Sequence, residues 1–216
     1  MNKKGMVYRF IAEHALKDKK VRLNVRGIAR ELEMAPDTVS NAVAPLKRIG
    51  AIEMQRRYFT LTSLDKLLSV WSVSRNFEKD IAYETYLSKL SVKEIEDMLP
   101  SGIAYTCYSG YVKLFGNDVS AYSEVYAYAP EPSLKEIKTR FPESVLTKGS
   151  GYYNLIILKP DYVLSKMILE KRLEHSSVGL PQLYVDLWNA KEWYAYDFLK
   201  HLKERIDDKY AKAILE

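Results

Sequence analysis

Residues 24–50 read NVRGIARELEMAPDTVSNAVAPLKRIG, and their spacing decides how the first part of the chain folds. Val25, Ile28, Ala29 and Leu32 recur at helical intervals with Asn24 placed to cap the first turn, so a short helix is expected, ending at Met34. Pro36 suits the first position of a following helix, where its missing N–H is not needed. Val39, Val43 and Leu46 give that helix an inward face, and Gly50 stops it. Inverting this face leaves Asp37, Thr38, Ser40, Asn41, Ala44, Lys47 and Arg48 outward. Pro45 breaks the regularity: in a regular helix interior it removes a hydrogen bond and costs about 3 kcal/mol, so a kink or an early end near Ala44 is expected.

Upstream, Val7, Phe10, Ile11 and Ala15 or Leu16 mark an amphipathic helix over residues 4–17 that ends in a basic cluster. Downstream, Ala51–Met54 and Tyr58–Leu61 can pair around a tip of Gln55, Arg56 and Arg57. Helix, tight turn, helix and hairpin together fit a winged helix-turn-helix, whose second helix enters a major groove. Thr38, Ser40 and Asn41 are the candidates for base readout, since an amide can bond adenine bidentately and hydroxyls can serve several bases. Lys47, Arg48, Arg56 and Arg57 are candidate phosphate contacts, with Arg22, Arg26 and Arg30 widening the footprint.

The charge distribution supports this reading. The 216 residues carry 33 Lys plus Arg and 28 Asp plus Glu, but residues 1–62 hold 13 and 6 of these, leaving 20 and 22 for the rest. The first segment is therefore +7 and the remainder −2, the pattern of a polyanion-binding module joined to a nearly neutral partner. The single cysteine, Cys107, excludes an internal disulfide, no secretory signal or spanning apolar run is visible, and a reducing, cytoplasmic setting without a membrane is expected.

Three segments follow: residues 1–62, a connecting helix at 63–76 and a mixed α/β part at 77–216, an α+β chain overall. Leu64, Leu67, Leu68 and Trp71 give the connector one apolar face. Beyond it, strands are expected at Ile81–Leu87 and Val119–Tyr128, and helices at Val92–Leu99, Ile103–Leu114 and Leu134–Phe141. A hairpin is expected from Val145–Thr147 to Tyr153–Leu158 around Lys148–Gly151, then helices from Tyr162 onward, the last of them long. Of 17 tyrosines, only Tyr8 and Tyr58 precede residue 83.

Chemistry is sparse. Cys107 has no neighbouring His, and His14, His175 and His201 share no motif. No metal-ligand spacing and no glycine-rich phosphate loop occurs, so neither a metal nor another cofactor is expected. The nearest enzymatic pattern is that of nucleotidyltransferases, a small-residue turn before a helix and then a strand with paired carboxylates. Ser101–Gly102 supplies the turn, but the strand offers Glu124 alone, so no enzymatic activity is expected.

The order of features resembles the AbiEi-type antitoxins of type IV toxin-antitoxin systems. The resemblance rests on the basic winged helix, the connector Ser63-Leu64-Asp65-Lys66-Leu67-Leu68-Ser69-Val70-Trp71, the helix after Ser101–Gly102, and Leu180-Pro181-Gln182-Leu183-Tyr184-Val185-Asp186-Leu187-Trp188. It implies operator binding on double-stranded DNA, repression of an operon that includes the protein's own coding sequence, and a C-terminal part needed to neutralise a nucleotidyltransferase-like toxin without necessarily touching it. After Asp186 the family tends to carry a Gly-Arg turn, where this chain reads Asn189-Ala190-Lys191-Glu192-Trp193. Tyr184, Asp186 and Trp188 read either as a partner surface or as a buried edge with one satisfied carboxylate. The rival readings are a ligand-responsive repressor with a small molecule in its tyrosine-rich half, and a nucleotide-transferring enzyme. The long last helix offers a surface for a homodimer.

Overall fold

A computed structural model describes residues 3–18, 22–142 and 153–212. The chain is a mixed α+β protein. It begins with α1 (Lys3–Ala15), α2 (Val25–Glu31) and α3 (Pro36–Arg48), followed by the antiparallel strands β1 (Ile52–Met54) and β2 (Phe59–Leu61), which pair Ile52 with Leu61 and Met54 with Phe59. The Asn24 side chain accepts from the Gly27 N–H at 2.7 Å and so caps α2. Glu33 takes a left-handed φ of 49° in the turn before α3. Leu23 extends the hairpin by exchanging backbone hydrogen bonds with Phe59, at 3.0 and 2.7 Å.

α3 does not end early near Ala44 but continues through Pro45 to Arg48. Pro45 deprives only the Asn41 carbonyl of an intrahelical donor, and Asn41 is exposed, so water can take that place. Past the proline the helix closes normally, with the Ile49 N–H bonded to the Pro45 carbonyl at 3.2 Å and the Lys66 ammonium donating to the Ile49 carbonyl at 2.9 Å.

The connector forms α4 (Leu64–Ser74), capped by Ser63. A four-stranded sheet follows in the order β3-β6-β5-β4, built from β3 (Ile81–Thr85), β4 (Ala104–Thr106), β5 (Val125–Tyr128) and β6 (Leu155–Leu158). β5 and β6 are parallel, and the outer pairs are antiparallel. All four residues of β6 are buried because both faces of the sheet are covered, which is why this strand reads as an unbroken aliphatic run. One face packs Tyr105, Val125, Leu155 and Ile157 with Ile95 of α5 (Val92–Met98) and with Leu134 and Ile137 of α7 (Glu131–Arg140). The other joins a core that continues through α6 (Cys107–Phe115), α8 (Tyr162–Leu169), α9 (Leu180–Asn189) and α10 (Ala195–Lys212) into the first three helices.

Two further expectations are corrected. Residues 103–114 are not one helix: Ala104–Thr106 is a strand paired to β5, and α6 starts only at Cys107, whose φ of 50° makes the sharp strand-to-helix turn. Residues 103–111 are all buried, so periodicity alone could not separate a buried strand from a buried helix. Residues 119–124 form no strand, because β4 and β6 supply ladder partners only from Val125 onward. Residues 145–151 of the expected hairpin lie outside the described residues.

α1 is central rather than amphipathic. Met6, Val7, Tyr8, Arg9, Ile11, Ala12 and Ala15 are all buried, and the helix packs against α3, α4 and α9. The core is continuous across residue 62.

Candidate nucleic-acid interface and the polar centre behind it

At about 100° per residue, Val39, Ala42, Val43 and Leu46 fill one side of α3, and Asp37, Ser40, Asn41, Ala44, Lys47 and Arg48 form the opposite stripe. Every residue of that stripe is exposed. Thr38 sits at its flank, on the same side as Pro45, and is half-buried. Ala35 provides no side-chain cap, and Asp37 places a negative charge in the first turn.

The hairpin arginines do not stand alone. Arg26, Gln55, Arg56 and Arg57 line one surface groove with Asn24 and Tyr58, and the Arg22 guanidinium lies 4.9 Å from the centre of the Tyr58 ring. Arg22, Arg26, Arg56 and Arg57 are thereby brought together at the base and tip of the hairpin, all exposed. Lys47 and Arg48 belong to the last turn of α3, while Arg30 is exposed on the last turn of α2. Glu33, in the turn between α2 and α3, accepts a hydrogen bond from Tyr162 of α8 at 3.0 Å. This side of the turn is held to the second half of the molecule.

Behind this surface lies a centre that charge counting misses. Arg9, in the middle of α1, donates to both carboxylate oxygens of Asp161, at 2.9 and 2.8 Å. Both side chains are buried, and Asp161 also caps α8 by accepting from the Leu164 N–H at 3.0 Å. Gln182 accepts from Arg9 at 3.5 Å and donates to Tyr128 at 3.2 Å and to Asp186 at 2.8 Å. Asp186 also receives the Thr106 hydroxyl at 2.7 Å and the Tyr128 hydroxyl at 2.8 Å, and its carboxylate is 3.0 Å from Arg75 Nε. Arg75 donates to the Tyr128 hydroxyl at 2.6 Å and approaches Asp80 at 3.3 Å.

Each charge answers another, as burial requires. Burial opposes charge on Asp161, but Arg9 and the Leu164 N–H outweigh it and hold the carboxyl below its usual range. Burial likewise opposes charge on Arg75, but Asp186, Tyr128 and Asp80 keep the guanidinium firmly protonated. At Asp186 burial is the larger effect and pushes the carboxyl up, against the pull of Arg75, Thr106, Tyr128 and Gln182.

Of the three residues read either as a partner surface or as a buried edge, Asp186 follows the second reading, a buried and satisfied carboxylate. It is fully buried, because its helix presents it to the sheet rather than to solvent. Tyr184 is half-buried and Trp188 exposed on the same helix. Trp188, Trp193 and Tyr196 are among the largest exposed apolar side chains described.

The tyrosines of the second half mostly pack. Tyr108, Tyr111 and Tyr122 surround Phe198 with ring centres 5.2, 5.3 and 5.7 Å away, and Tyr194 closes on Tyr108 at 4.9 Å. Burial pushes the Cys107 thiol well above its usual range, so it holds little of the thiolate that a nucleophile needs. The turn of Ser101–Gly102 precedes β4 rather than a helix. The Ser133 hydroxyl of α7 donates to the Gly102 carbonyl, and a Cβ at Gly102 would meet its oxygen at 2.7 Å.

Among the described residues, no group of three or more His, Cys, Asp or Glu side chains could hold a metal, and no helix is long and apolar enough to cross a membrane. Compared with known proteins, the chain matches no family model, no curated protein and no solved structure.

Proposed function

We propose that the chain is a sequence-specific DNA-binding transcriptional repressor in which residues 3–62 act as a winged helix-turn-helix, with α3 as the groove-reading helix and the β1–β2 hairpin as the wing. The observation that carries this reading is the exposed stripe of Ser40, Asn41, Lys47 and Arg48 on α3, away from its buried face, together with a hairpin that clusters Arg22, Arg26, Arg56 and Arg57. The cations of the last turn of α3 and of the hairpin supply phosphate contacts, and the stripe supplies donors and acceptors for base edges. In this role Asn41 and Ser40 read bases directly, while Thr38, at the flank, contacts the groove wall.

A gel shift with the DNA upstream of the protein's own coding sequence, run at two salt concentrations, tests the proposal. Binding that weakens steeply with salt is expected, because each phosphate contact releases a counterion. No binding, or binding indifferent to salt, defeats it.

The resemblance to AbiEi-type antitoxins extends the reading: the target is the protein's own operon, and the second half serves to neutralise a nucleotidyltransferase-like toxin. Co-expression with such a protein from an adjacent gene should relieve its toxicity. A ligand-responsive repressor is favoured over a simple one by a cleft of about 460 Å³ between α1, α6 and α10.

A further inference from the structure

The cleft draws one wall from the end of α1 and the others from the second half. Its volume of about 460 Å³ falls within the roughly 300–1,000 Å³ of small-molecule sites. Leu16, Phe115, Met167 and Leu173 contribute an apolar lining.

Four cations stand around it, Lys17, Arg172, Arg205 and Lys209, against the carboxylates of Glu13 and Glu174. Arg172 is engaged with Glu170 at 2.8 Å. Arg205 lies 5.2 Å from the centre of the Phe115 ring, so its guanidinium is held over the apolar floor. Lys17 and Lys209 are exposed. Burial pushes the Glu13 carboxyl up, against the pull of Arg9, Lys17 and His14. Gly179, Leu180 and Pro181, at the start of the ten-residue α9, complete the wall; Gly179 offers no capping side chain of its own, and the Glu13 carboxylate lies beside it, where an added Cβ would meet Oε1 at 3.1 Å. The positive dipole end of α9 adds to the field of the side-chain cations.

The geometry points to this cleft as a binding site for a small amphipathic organic anion: an aromatic or aliphatic body on the Phe115–Leu173 floor, with one carboxylate or sulfonate held by Arg205 and Lys209. An inorganic anion alone would leave the floor unfilled, and a neutral apolar molecule would leave the cations unanswered. The site goes beyond the DNA-binding reading and does not depend on it, since none of these residues belongs to the α3 stripe or the hairpin.

The test is calorimetric titration of the full chain with 1-anilinonaphthalene-8-sulfonate, beside the uncharged N-phenyl-1-naphthylamine, which has the same rings. Saturable one-to-one binding of the sulfonate is expected, with the neutral compound weaker by about tenfold. The double variant Arg205→Glu, Lys209→Glu, on the exposed face of α10, should weaken the sulfonate by about tenfold and the neutral compound by much less. Lys17→Glu, in the turn after α1, should weaken it in the same direction, and far-UV circular dichroism verifies that each variant is folded. Absence of saturable binding, equal binding of the two compounds, or folded variants with an unaltered constant overturns the assignment. No DNA enters the titration, so its outcome is separate from that of the gel shift.

Discussion

The front of the first half and the junction behind it use the same side chain in opposite ways. Arg22, Arg26, Arg56 and Arg57 are exposed around the hairpin, over a core of Ile28, Val39, Leu46 and Phe59 that needs no charge to hold together. Arg9 and Arg75 are buried, and their guanidinium groups are answered by Asp161, Asp186, Asp80 and Tyr128. A solvated cation keeps its field available to an approaching polyanion and adds little to folding. A buried one turns its field on neighbours and becomes expensive to leave alone. The difference teaches that exposed arginines should register in binding and buried ones in stability.

The largest expected effect is at the junction. Arg9→Ala leaves Asp161 buried without its partner and should destabilise the protein by about 3–5 kcal/mol in urea unfolding. An effect no larger than that of a surface substitution would break the comparison. Asp161 also sets a pH dependence. Because its folded pKa is depressed, the stability it contributes is complete above the ordinary carboxylate value of about 3.9 and is lost as pH falls through the folded value. In Asp161→Asn, unfolding measured from pH 7 down to pH 2 should start from lower stability and show a shallower acid decline.

At the front, Asn41→Ala should cost about 1–3 kcal/mol of discrimination at one base position in a binding-site selection, with overall folding unchanged. Replacing Arg56 and Arg57 together by Ala should weaken binding similarly on all DNAs and lower the salt slope by about 2. Identical behaviour of the two variants across sequences would collapse the division between reading and clamping. The smallest effect belongs to Asn24→Ala, which removes the α2 cap and should lower stability by about 1 kcal/mol in thermal unfolding while leaving the salt slope untouched.

Much of the first half was legible because its signals are local. Asn24 caps, Pro36 begins a helix, and apolar residues at three- and four-residue spacing choose a face. Pro45 misled because the cost of a proline depends on whether the carbonyl it orphans is wet, which spacing does not reveal. In the second half, burial on both faces erased the periodicity that would have separated β4 from α6. The polar centre was invisible for a different reason: Arg9, Arg75, Asp161 and Asp186 are far apart in sequence, and charge counting placed Arg9 with the basic surface. One hint was present, since Arg9 is the single charged residue between Gly5 and Ala12. Of the candidate face, the outward residues of α3 followed from helical geometry, whereas the grouping of Arg22 with the hairpin depended on the Leu23–Phe59 bridge.

The clasp between Arg9 and Asp161 also bears on modularity. A helix that is apolar on nearly every side and carries one buried cation cannot simply be cut loose with residues 1–62 or grafted onto a foreign body. Any chimera built on this front end would have to bring an acceptor of its own to the middle of α1, so whatever the two halves do, they are constrained to inherit it together.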